Sequence, residues 1–178
     1  MERRIATGND DAEEFAGGSM YLNSSDIELV FDKDNQTVGL RFTNLTIPNR
    51  ATITRAYLQF EADETQCEAT NLLVQGQAAD NAKVFGSGSG DISTRPRTAA
   101  STSWSPPAWA LVGEAGSNQR TPDLSAVIQE IVNRPGWASG NALAIIITGT
   151  GHRTARAFEG KADGAALLHI DFTTGRRA

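Results

Sequence analysis

The chain has 178 residues, 39% of them hydrophobic and 21% charged, with 17 glycines and a net charge of −5. That length holds a sizeable core in one module, and the glycine content suits many turns between short strands. The acidic balance (pI near 5.0) excludes the basic footprint of non-specific nucleic-acid binding, and no apolar run approaches the ~20 residues that span a membrane.

Residues 7–14, TGNDDAEE, form an acidic segment read as a loop, and Gly17-Gly18 leads into a short strand at 19–23. A second strand is expected over 26–31, with Ile27, Leu29 and Phe31 on one face, and the run DKDN at 32–35 is a turn signal. Two alternating strands follow within 36–60: Val38, Leu40 and Phe42 line one face of the first, and Ala56, Leu58 and Phe60 one face of the second. A period of two over such lengths marks half-buried antiparallel strands. Their connection holds Pro48-Asn49, and 65–70 is another turn.

A strand is expected at 71–79, then a loop at 80–93 containing GSGSGD. Residues 95–109, RPRTAASTSWSPPAW, read as irregular, with one short strand at 102–104. The one helix lies at 122–133. Proline stands at its first position, Leu124, Val127, Ile128, Ile131 and Val132 share one face, and NRPG ends it. Strands at 142–148, 154–158 and 166–172 complete the chain, and 176–178 read as a tail. About nine strands and one short helix predict an all-β, antiparallel two-sheet β-sandwich of jelly-roll type, a single module over 1–178.

The run Phe42-Thr43-Asn44-Leu45-Thr46-Ile47-Pro48, then Ala51-Thr52-Ile53 and Ala56-Tyr57-Leu58-Gln59-Phe60, resembles the core of DNRLRE-type jelly-roll modules, with Asn49-Arg50 where those carry glycine. Residues outside this core are similar to a longer subgroup: Asp11 to Glu14, Ser25 to Leu29, Arg95 to Thr98, Trp104 to Trp109, Asn133 to Trp137, and Leu167 to Ile170. The likeness extends over about residues 8–173. Such modules are repeated or appended units of bacterial secreted and surface proteins, and some are assigned as carbohydrate-binding modules. The resemblance implies an extracellular setting within a larger multidomain parent protein. No apolar leader is visible after Met-Glu-Arg-Arg, which on that reading makes the chain an excised fragment.

Three constellations are candidates for function. Asp10, Asp11, Glu13, Glu14, Asp26 and Glu28 crowd one part of the sequence, and calcium takes six to eight oxygen ligands. Similar jelly-roll modules hold a structural calcium between the N-terminal segment and the last strand, which implies Asp11, Glu13, Asp26, Glu28 and Asp171 as ligands. The plainer reading is a solvated acidic surface. Zinc is not expected, since His152 and His169 pair with no cysteine motif.

Trp104, Trp109 and Trp137, with Arg95 and Arg97 nearby, form a candidate platform for a polysaccharide or oligosaccharide, whose flat C–H faces stack on aromatic rings. Tyr57, Gln59, Gln75 and Gln77 offer a polar sheet face as a second surface. The competing readings are tryptophans that plug the core and an ordinary solvent face. The third constellation is Arg95, Arg97, Arg120, Arg153 and Arg156, which would favour an acidic sugar if gathered in space. No catalytic motif stands out. G-x-S-x-G is absent, Gly149-Thr150-Gly151 is too short for a nucleotide loop, and Cys67 is the single cysteine. The expected function is non-catalytic carbohydrate binding. A structural spacer or adhesion module without a sugar ligand is the alternative.

Overall fold

The computed structural model describes residues 1–175, so the expected tail at 176–178 lies outside the described residues. In chain order the elements are β1 (Glu2–Arg4), β2 (Asp11–Phe15), β3 (Met20–Tyr21), β4 (Asp26–Glu28), β5 (Phe31–Asp32), β6 (Asp34–Phe42), β7 (Thr52–Gln59), β8 (Asn71–Gln77), β9 (Arg97–Trp104), α1 (Ser125–Val132), β10 (Leu143–Thr150), β11 (Thr154–Arg156) and β12 (Leu167–Thr173). All strand pairings are antiparallel. The larger sheet runs β3-β2-β6-β10-β8-β9, with β5 folded onto the start of β6, and the smaller runs β1-β12-β7. The short pair β11-β4 extends the second layer, because Glu61 and Asp63, just beyond β7, exchange backbone hydrogen bonds with Arg156 and Thr154. The expected all-β two-sheet sandwich with one helix is the observed architecture.

Alternation positions the core. Val38, Leu40 and Phe42 of β6 face Ala56 and Leu58 of β7 and Leu168 and Ile170 of β12 across the sandwich, all buried. A bulge at Thr54 re-phases β7: Asp171 pairs with Arg55 but Phe172 with Ile53, so Ile53 also turns inward. The run Leu143 to Ile147 of β10 is buried on both faces. Leu143, Ile145 and Ile147 belong to the sandwich core, whereas Ala144 and Ile146 point outward beneath the loop between β8 and β9. A central strand covered on both sides reads as continuous apolar sequence rather than alternation.

The helix starts three residues later than its proline signal. Thr121 and Leu124 hydrogen-bond the free edge of β7 at Leu58 and Ala56, and Asp123 accepts from the Ala56 amide, which ties 121–124 to that edge before the helix begins. Asp123 then accepts from the Ser125 amide at the helix start. Val127, Ile128, Ile131 and Val132 close that side of the core. The strand expected over 26–31 is broken: β4 ends at Glu28, and Phe31 begins a separate hairpin with its ring exposed. The acidic segment expected as a loop forms β2, with Asp11, Ala12, Glu13 and Glu14 all buried.

Candidate functional site

Three buried carboxylates of β2 hold the backbone of neighbouring segments. Glu14 points to the outer face of the larger sheet and accepts from the amides of Ile92 and Ser93, both at 2.7 Å. Asp11 and Glu13 point to the inner face. Asp11 accepts from the Phe158 amide at 2.8 Å and Glu13 from the Glu28 amide at 2.7 Å. Burial pushes the Asp11 carboxyl up to about 7 and the Glu13 carboxyl up to about 8. Asp26 takes the Ser24 hydroxyl, Glu28 sits on β4 beside His152, and Asp171 is exposed on the smaller sheet against His169. Among the described residues no three His, Cys, Asp or Glu side chains gather at metal-holding spacing. Of the five carboxylates expected around calcium, Glu28 and Asp26 lie near enough to help push the Glu13 carboxyl up, Asp11 keeps one buried oxygen without a partner among the described residues, and Asp171 stands apart on the smaller sheet.

The tryptophan platform is corrected. Trp104, Trp109 and Trp137 are 4%, 1% and 3% exposed, leaving no ring face for a sugar. Trp104 stacks on Phe60, and the indole N–H groups of Trp109 and Trp137 donate to the carbonyls of Asn118 and Ile47. An amphipathic ring whose N–H finds a backbone partner is a stable core element, which is the physical reason these sites are closed. The arginines do not gather either. Arg153 is buried among the carbonyls of Glu68, Pro106, Pro107 and His152, and Arg156 pairs with Asp63.

Tyr57 and Gln59 do share the outer face of the smaller sheet, with Arg120. His169 stacks on the Tyr57 ring at 4.6 Å and the Arg120 guanidinium lies 4.3 Å from its centroid. The two cannot share one face, so both sides of the ring are covered. The Gln59 amide accepts from Arg120 and donates to the carbonyls of Phe60 and Gly116. Both ends of the Gln59 amide are thus engaged.

A cleft of about 360 Å³ lies between the end of β8 and the loop that crosses the outer face, lined by Gln77, Asn81, Lys83, Val84, Asp91 and Arg95. The loop is pinned from below. The tip of the Phe85 ring meets Gly39 of β6, where a Cβ would come within 2.5 Å of the ring, so glycine permits the approach. The Arg95 guanidinium lies over the Phe85 ring, 4.2 Å from its centroid. Its guanidinium donates to the carbonyls of Lys83, Val84 and Asp91 and to the side chains of Gln77 and Asp91. Arg95 therefore shapes the cleft rather than offering free donors. Arg97, on β9, keeps one guanidinium nitrogen buried without a partner among the described residues, and burial holds its pKa below the usual value.

These bonds leave directed polar atoms in the cleft. Gln77 Oε1 is held by Arg95, which leaves Nε2 as a donor, and Asp91 Oδ2 is held by Arg95 and the Gly86 amide, which leaves Oδ1 as an acceptor. Asn81 Oδ1 is tied to the Ala142 amide, orienting its Nδ2. Lys83 is exposed and has no ion-pair partner among the described residues, and Val84 is 49% exposed. Planar amides, a carboxylate and an ammonium around one apolar side chain can satisfy a polyhydroxylated ligand.

A second polar cluster was not visible in the sequence. Thr154 of β11 and Gln66 are buried, and His152 and Glu28 close over them, with His152 Nε2 directly on Glu28 Oε2. No protein-family model matches the chain, and no curated protein matches it as a relative. The likeness to DNRLRE-type modules therefore rests on the residues quoted above.

Proposed function

We propose that this domain is a non-catalytic carbohydrate-binding module whose ligand site is the cleft over the outer face of the larger sheet. One observation carries the reading: Gln77, Asn81 and Asp91 line one cleft, and each has one polar atom fixed by the fold and the other without a hydrogen-bond partner among the described residues. Preorganised planar groups of this kind recognise sugar hydroxyls without ordering cost on binding. Val84 and the Lys83 stem supply the apolar flank that a pyranose C–H face needs. In this reading the module tethers a larger extracellular parent to polysaccharide.

Burial of all three tryptophans favours a second reading, a structural spacer or adhesion module with no sugar ligand. Gel retardation against alginate, pectin, xylan and chitin separates the two. The binding reading expects retardation on at least one, weakened at least tenfold by Lys83→Ala with Val84→Ala, as loss of ~1.4 kcal/mol would give. Equal mobility on all four supports the spacer.

A further inference from the structure

Gln66 and Thr154 are 88 residues apart and make two contacts with each other. Gln66 Nε2 lies 2.7 Å from Thr154 Oγ1, and Gln66 Oε1 accepts the Thr154 backbone N–H at 2.7 Å. The amide carbon is one bond from Nε2, hence at most about 4 Å from the hydroxyl oxygen. The Thr154 hydroxyl donates to Glu28 Oε2 at 2.8 Å, and His152 Nε2 is 3.3 Å from the same hydroxyl. Glu64 Oε2 accepts from Gln66 Nε2 at 3.2 Å, and the His152 ring nitrogens stand 3.2 and 3.4 Å from it. Thr154 is 0% and Gln66 9% exposed.

This is a nucleophile, a base and an oxyanion donor arranged around one carboxamide. We infer that Thr154 and Gln66 join in an intramolecular ester, formed by the folded chain on itself with release of ammonia. Thr154 Oγ1 passes its proton to Glu28 and adds to the Gln66 amide carbon. The oxyanion forms at Oε1, where the Thr154 N–H already points. Collapse breaks the C–N bond and forms the ester C–O bond. Nε2 departs as ammonia, taking the proton held on the Glu28–His152 pair. No electrons are exchanged, and the step needs no outside reagent.

Three features favour it over a passive hydrogen bond. Attack is intramolecular between groups already in contact, which substitutes for a high concentration of alcohol. The two reacting groups themselves are buried, which slows hydrolysis of the ester. Burial also raises the Glu28 carboxyl above the usual carboxylate range, making it a better proton acceptor. The link would tie the segment after β7 to β11 and close a loop containing β8, β9, α1 and β10.

Intact-mass spectrometry of the purified protein tests this. The expected mass is about 17 Da below that of the sequence, the loss of one ammonia, with a cross-linked peptide pair containing Gln66 and Thr154 after proteolysis. Thr154→Val should restore the full sequence mass, and Thr154→Ser should keep the loss. A folded wild-type chain that stays at the sequence mass after prolonged incubation overturns the inference. So does a loss that persists in Thr154→Val.

Discussion

Glu14 is a carboxylate on a buried strand, and what it holds is the crossing loop. Its two backbone donors, Ile92 and Ser93, lie beyond the cleft, and its own residue is 4% exposed. Removing it strands two N–H groups, so Glu14→Ala should cost about 2–3 kcal/mol in urea unfolding, while Glu14→Gln, which still accepts, should cost less. Asp11 and Glu13 give a pH signature instead. Their folded values, about 7 and about 8, lie above their ordinary 3.8 and 4.5. Between those limits the unfolded chain has released protons that the folded chain retains. Their contribution to stability is therefore full in acid and is lost as pH rises toward about 8, with a slope of up to about 1.4 kcal/mol per pH unit for each group. Thermal melts from pH 5 to 8 should show a fall that Asp11→Asn and Glu13→Gln each flatten. A profile unchanged by either variant would contradict the assignment.

The elements depend on how far their partners lie along the chain. Phe85 carries the loop onto β6 and β10, so Phe85→Ala should destabilise by about 3–5 kcal/mol and speed amide exchange at residues 86–94. Strands β6 and β7 were legible because alternation of Val38, Leu40, Phe42 and of Ala56, Leu58 is local. Strand β2 was not, because DAEE buries its carboxylates only through amides 15, 78 and 147 residues away. The helix was legible by its apolar face, but its start was not, since pairing of 121–124 with β7 is tertiary. The cleft was half legible: Arg95 and Gln77 stood out as polar candidates, while the role of Arg95 as a clasp follows from Phe85 and Asp91. The Thr154 cluster draws Glu28 from 126 residues away and Gln66 from 88, a juxtaposition with no sequence motif.

At the scale of the molecule, the interior of the sandwich is closed by apolar packing, and the outer face of the larger sheet is crossed by a loop that leaves a cleft. The tryptophans, helix and β10 belong to the closed interior. Directed polar atoms without partners belong to the loop side, and the proposed function rests there. The most direct measurement is an amide chemical-shift titration of the labelled domain with oligosaccharides from the four polysaccharides. Sugar binding at the cleft predicts saturable shifts centred on Gln77, Asn81, Lys83 and Asp91, absent from the double variant at Lys83 and Val84. Shifts confined to the Tyr57 face, or none with any oligosaccharide, would contradict it.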